Sequence, residues 1–365
     1  MTSDPGYTLT PAPLLDDPRP TRRSTVLSLT GLGVSILIAV LTVVPANFAV
    51  GGPGPTFDTL GTKDNEPLVV IAGAPTYDST GELRLTTVSV ADAGSSTFTM
   101  GRVIKGWLSP KEYVLPSEWV FGTAEEQDAV AEQSRVDWIT SQEHASVAAL
   151  EELGTPVPAV IRVAEIPEDS PAQGILEKDD VIVAINGVEA ETYNQMATTM
   201  KSVTPGDEVT VSITREGERS DVTVATRNDG AGKAIMGIYV DPAFDLPIDV
   251  TVAIDTVGGP SAGLMFSLGI MDKLTPQDEL NGAKVSGTGT INASGDVGAI
   301  GGIRMKMYGA LAAGSTYFLA PTANCDEVVG NIPKGLSVFS VDTLSDAYDA
   351  IVAIGKGETD SLPTC

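Results

Sequence analysis

The apolar positions along the chain change period several times, and each change marks an element. From Val26 to Val44 the sequence VLSLTGLGVSILIAVLTVV carries no charge over 19 residues. That is close to the length a helix needs to cross a hydrocarbon core. A transmembrane helix over 26–46 is therefore expected, with Arg22 and Arg23 on the cytoplasmic side and the bulk of the chain outside. A cleaved leader ending near Val44-Pro45-Ala46 is the rival reading. The run exceeds the roughly 7–15 apolar residues of such leaders, and a long polar segment precedes it. Pro5, Pro11, Pro13, Pro18 and Pro20 make that segment, 1–25, a disordered cytoplasmic tail.

Beyond the span, GGPGPTFDTLGTKD (51–64) has no period and predicts a turn-rich stem, set at 47–65. LRLTTVSV, Leu83–Val90, alternates as a strand does, and VDWITSQEHASVAALEELG, Val136–Gly154, reads as a helix ended by a glycine. Three strand runs follow, AVIRVAEI, DVIVAING and EVTVSITREG, with turns at Gly187 and Gly217. A helix from Thr192 to Ser202 stops before Pro205-Gly206, and a glycine-rich α/β segment runs from Ala234 to Gly355. The mixture of periods predicts an α+β fold.

Composition removes several classes of function. A net charge of −26, from 48 acidic and 22 basic residues, opposes nucleic-acid binding, which needs a basic footprint. One histidine and two cysteines leave little for a metal site, and none is expected. No GxxxxGK[ST] occurs, so no P-loop ATPase module is expected, and no nucleotide or other cofactor is expected. Outside the membrane Cys325 and Cys365 are free to pair, closing about 40 residues, the rival being one buried thiol and one frayed tail cysteine.

SPAQGILEKDDVIVAINGVEA, Ser170–Ala190, resembles the core of PDZ domains over about 75 residues, with Asp179 where that family often has glycine. The resemblance implies a PDZ domain over 155–230 with a short helix after Ser-Pro-Ala, binding an extended peptide as an added strand. It would put the peptide beside Ala159, Val160 and Ile161, after the loop GTPVPA.

The chemistry gathers in VGGPSAGLMFSLGIM, Val257–Met271. Pro260 suits the start of a helix, and Ser261 would then sit on its first turn beside unpaired N–H groups able to stabilise an oxyanion. Further on, Ile303, Met307, Ala310, Leu311 and Gly314 form a helical apolar stripe with Lys306 on it. A lysine there either snorkels outward or is held for chemistry, since burial lowers its pKa toward a usable base. GPSAG and TGTINASGDVGAIGGIRMK, in that order with serine and lysine about 45 residues apart, resemble the proteolytic domain of Lon proteases.

The Lon resemblance implies a Ser-Lys dyad of Ser261 and Lys306, with Thr288 holding the lysine and Gly259, Pro260 and Ala262 forming the nucleophile motif. Gly259 stands where Lon enzymes usually carry an acidic residue, and Thr290 replaces a common glutamate. LRLTTVSV and SQEHASVAALEELG extend the likeness backwards. The layout expected is a Lon-type domain over 66–154 and 231–356, interrupted by the PDZ domain, with a tail at 357–365. Such a protein would be a membrane-anchored, extracytoplasmic, ATP-independent serine endopeptidase acting on polypeptides, in a layout that suits a bacterium. Lon-like domains often form rings, so a homo-oligomer such as a hexamer is implied. A non-catalytic PDZ adaptor at the membrane is the alternative, and a triad built on His144 is a second.

Overall fold

The computed structural model describes residues 22–44, 46–63, 65–91, 99–122, 124–254 and 258–365. The expected tail falls outside them, apart from its last residues. Helix α1, Arg22–Val43, has no buried residue and is long and apolar enough to cross a membrane. It starts ahead of the apolar run because nothing in Arg22–Thr25 breaks a helix.

Strand β1, Phe48–Asp58, replaces the stem expected at 47–65. Its glycines hide the alternation of a strand because neighbours lie too close for a side chain: a Cβ on Gly51 would strike the Tyr113 ring, and one on Gly54 would strike Thr87. A register shift between Pro53 and Thr56 accommodates the prolines. Next come β2 (Val69–Ala72), β3 (Glu82–Ala91), α2 (Met100–Leu108), β4 (Tyr113–Pro116) and α3 (Ser117–Phe121). Helix α4 spans Ala124–Glu152, beginning well before the expected Val136. Its first half is a polar run of good helix formers, which periodicity does not detect.

The middle segment contributes β5 (Ala159–Glu165), β6 (Val181–Ile185), α5 (Tyr193–Lys201), β7 (Glu208–Arg215) and β8 (Glu218–Ala225). Thr192 caps α5, its hydroxyl accepting from the Gln195 N–H while the Gln195 side chain accepts from the Thr192 N–H. The helix expected after Ser170-Pro171-Ala172 is instead a pair of turns, with Ile175 and Leu176 N–H both donating to the Ala172 carbonyl. Asp179 adopts a φ of 72°, the left-handed conformation that a glycine takes without strain.

The last part holds β9 (Tyr239–Phe244), β10 (Asp249–Val252), α6 (Gly263–Leu274), β11 (Lys284–Gly287), β12 (Thr290–Ile291), β13 (Val297–Gly298), α7 (Ile303–Ala312), β14 (Tyr317–Pro321), β15 (Ser337–Val341) and α8 (Leu344–Lys356). Strands from both sides of the middle segment share one sheet, ordered β15-β14-β11-β3-β1-β4. The pairs among β15, β14, β11 and β3 are parallel, and β3–β1 and β1–β4 are antiparallel.

Alternation along β14 shows how this sheet is covered. Leu319 joins a core with Leu264, Leu268 and Ile270 of α6, Ala145 and Ala149 of α4, and Ile351 of α8. Phe318 and Ala320 face the other way, onto Ile303, Met307 and Ala310 of α7. Helices α6 and α7 therefore pack on opposite faces. A second, antiparallel sheet follows the order β8-β7-β6-β5-β9 around its own apolar core. Residues 239–244, expected in the Lon-like part, pair with β5 in this second sheet. Cys325 and Cys365 are disulfide-bonded, with Cα atoms 5.0 Å apart.

Candidate active site

The turn that carries Ser261 is held from α4. Gly259 N–H donates to the Ser134 carbonyl at 3.1 Å, and the Ser141 hydroxyl donates to the Pro260 carbonyl at 3.2 Å. Gly259 has a φ of 81°, which turns the chain toward Pro260. The helix starts three residues later than expected: Ala262 is the cap, α6 begins at Gly263, and Ser261 lies in the preceding turn. Gly263 and Leu264 N–H are occupied by the Pro260 and Gly289 carbonyls. The N–H groups of Ser261 and Ala262 have no partner among the described residues.

Gly263 allows close packing, since a Cβ there would meet Ile291 Cγ2 and Ser141 Oγ, each at 2.8 Å. Gly263→Ala is expected to displace the serine turn and lower kcat/KM about tenfold or more, a rise of at least ~1.4 kcal/mol in the barrier. Activity assays with thermal unfolding alongside check this: lost activity with a near-normal melting temperature is the expected pairing.

Lys306, on α7, is 3% exposed, and its Nζ donates to Ser261 Oγ at 2.8 Å and to Thr288 Oγ1 at 2.9 Å. Thr288 is fully buried and donates in turn to the Ser261 carbonyl at 3.0 Å, where Gly289 N–H also donates at 3.0 Å. Burial pushes the Lys306 amine down to about 8. Of the expected stripe, Ile303, Met307 and Ala310 are buried, whereas Gly314 lies exposed past the end of α7.

Ser261 and Lys306 open onto a cleft of about 470 Å³ lined by Pro55, Thr87–Val90, Gly258 and Gly301. β11 stops at Gly287, opposite Leu85, so Thr87–Val90 have no strand partner on that side among the described residues. Sequence reasoning missed this wall because nothing in LRLTTVSV distinguishes an unpaired edge from a paired one. It also missed Ser134, which precedes the expected helix, and Ser141, which reads as an ordinary polar position within it. His144 is elsewhere, edge-on to Phe244 at 6.1 Å between ring centroids. Burial lowers its pKa, opposed by a bond to the Ile291 backbone, and no hydrogen bond joins it to Ser261.

Two family models match the chain, the PDZ domain over residues 135–226 and the Lon protease (S16) C-terminal proteolytic domain over 244–353. The chain carries a PDZ domain and a Lon-type proteolytic domain. Among curated proteins, a mitochondrial Lon protease homolog of Candida dubliniensis is 33% identical over 113 residues, covering 28% of this chain and 10% of that protein. The Lon protease of Helicobacter pylori is 26% identical over 133 residues (34% and 15%), and that of Clostridioides difficile is 28% identical over 117 (30% and 15%). The chain thus spans about a tenth to a seventh of these relatives. Among solved structures, the PDZ domain of an SdrC-like protein from Listeria innocua aligns at 24% identity and a TM-score of 0.22, covering 22% of this chain and 92% of that one.

The peptide site expected at Ala159, Val160 and Ile161 falls on a strand that is already paired. These residues lie on β5, where all three pair with β9, Ile161 also pairs with β6, and Ala159 N–H donates to the Glu191 carbonyl. No edge is left there for a peptide. The strands with an unpaired edge in this sheet, among the described residues, are β8 and β9, and β9 lies at the junction of the two family matches. Next to it is a groove of about 490 Å³ between α5 (Met196, Met200) and the Met236–Ile238 approach to β9. The Lon-type domain supplies one wall, Asn292, Ser294 and Asp296, and Lys201 of α5 is paired with Asp296 at 2.8 Å. GKAIMGIYV carries no strong turn or strand signal, so sequence alone does not find this groove.

Proposed function

We propose that the protein is a membrane-anchored serine endopeptidase whose PDZ domain is inserted within the Lon-type domain and recruits polypeptide substrates. The observation that carries this reading is the buried Lys306 amine 2.8 Å from the Ser261 hydroxyl. As neutral amine, Lys306 takes the proton from Ser261 as Oγ attacks the scissile carbonyl. The oxyanion develops toward the Ser261 and Ala262 N–H groups. Lys306 then protonates the leaving amine, and water, deprotonated by the same lysine, frees the acyl group. Thr288 keeps Nζ aimed at Ser261 throughout. The substrate lies extended along Thr87–Val90, adding a strand to the edge β11 leaves open.

The chain has no GxxxxGK[ST] sequence, in keeping with cleavage of exposed or unfolded segments without ATP. With α1 spanning the membrane and Arg22–Arg23 inside, the catalytic part lies on the extracytoplasmic face, where the cystine is stable. Ring-like self-assembly, familiar among Lon-like domains, is part of the proposal.

The full-length protein, in detergent and without ATP, is incubated with denatured proteins and new N-termini are identified by mass spectrometry. New termini from wild type but not Ser261→Ala are expected. A charge in the groove, Met200→Glu, should change which proteins are cut while sparing cleavage of short peptides. Termini that persist in Ser261→Ala would refute the assignment.

A further inference from the structure

We propose that α2 and α3 form a collar that sits in the lipid headgroup region, with Trp107, Leu108 and Trp119 entering the membrane interface. The inference rests on α1 spanning the membrane. The chain has three tryptophans. Trp138 behaves as a core residue, 7% exposed and edge-on to Phe266. Trp107 and Trp119 are 60% and 78% exposed, and Leu108 is 80% exposed.

Their placement says what covers them. Met100 N–H at the start of α2 donates to the Val44 carbonyl, and Ser117 N–H at the start of α3 donates to the Asn47 carbonyl, each at 3.2 Å. Both helices are thus tied to the backbone leaving α1. A Cβ on Gly101 would come within 3.2 Å of the Leu41 carbonyl, so α2 lies directly against the span. The Trp107 ring stands edge-on to Phe48, 5.9 Å away, just past the end of α1. On α2, Val103 and Gly106 face the protein while Trp107 and Leu108 face out.

Tryptophan favours the level where hydrocarbon meets headgroups, since its ring is apolar and its N–H seeks a partner. Charge fits as well. Although the chain carries −26 overall, residues 99–122 hold Arg102, Lys105 and Lys111 against Glu112 and Glu118. A lipid surface, rather than a second copy of the chain, is the occupant because both helices are hydrogen-bonded to the chain where the span ends. From Val44 to Pro55 at the cleft is eleven residues of largely extended chain, at most about 36 Å. The collar would hold the cleft within that reach of the membrane, where segments emerging from the bilayer are the available substrates.

Full-length protein is reconstituted into phosphatidylcholine vesicles brominated near the headgroup end of the acyl chains, and tryptophan emission is compared with unbrominated vesicles. Three variants each keep one tryptophan, the other two being changed to phenylalanine. Emission from Trp107 and from Trp119 should fall about twofold or more, as for rings at the interface, while that from Trp138 should not change. Quenching of Trp107 and Trp119 no greater than that of Trp138, in protein that resists alkaline carbonate extraction, would overturn the collar and leave the span standing. Release of the protein by carbonate would overturn both.

Discussion

Lys306→Met is expected to abolish peptide-bond cleavage and at the same time to stabilise the folded chain at pH 7. Both effects follow from burial of one amine. Folding removes Lys306 from water, and its pKa falls from 10.5 to about 8. At about 1.36 kcal/mol per unit, the folded state carries a penalty on the order of 3 kcal/mol whenever the amine is charged. The sign follows from proton counts. Between pH 8 and 10.5 the unfolded chain holds a proton that the folded chain has released, so stability climbs with pH across that window. Below pH 8 both states are protonated and the whole penalty stays.

Methionine fills the same volume without a charge, Thr288 keeps its bond to the Ser261 carbonyl, and the Ser261 hydroxyl, which loses the lysine, opens onto the cleft where water can reach it. In the proposed mechanism catalysis runs the other way, because only a neutral Lys306 would accept the Ser261 proton. Wild-type kcat/KM should rise about tenfold per pH unit below 8 and level off above it. Thermal unfolding and a pH–rate profile on one short substrate check both halves. A variant that cleaves with an unchanged profile would eliminate Lys306 as the base.

What could be read in advance follows a physical rule. Elements that bury apolar side chains declare themselves: α6 is buried from Gly263 through Asp272, and its all-round apolar sequence says so. The lysine on α7 stood out because one polar residue interrupts an apolar face. Features made of backbone did not show. β1 fits its sheet through glycines that admit Tyr113 and Thr87, and a missing side chain has no period. The PDZ groove escaped for a related reason, since β9 alternates only between half-buried and exposed positions. The open edge at Thr87–Val90 depends on where β11 ends, a fact about a different part of the chain.

The largest stability change expected from a pair of side chains is at the cystine. Cys325→Ser with Cys365→Ser opens a loop of 40 residues, worth up to about 4 kcal/mol on the chain-entropy account. The bridge also fixes an end that would otherwise fray. Cys365 packs on the cluster of Ile303, Met307 and Phe318, and Ser340 N–H donates to the Pro363 carbonyl at 2.9 Å. Because that cluster underlies α7, the tail supports the helix carrying Lys306 from the face opposite α6. Yet Nζ is positioned by Thr288 and Ser261 rather than by the tail, so cleavage at 25 °C should stay within about twofold while thermal resistance drops. Unfolding with and without reductant separates the possibilities. Wild type should melt on the order of 10 °C lower when reduced, and the double variant should ignore the reductant. A wild type equally indifferent would mean the bond contributes nothing. A reductant-sensitive wild type also fits an extracytoplasmic catalytic part, since the cytosol would keep both thiols reduced.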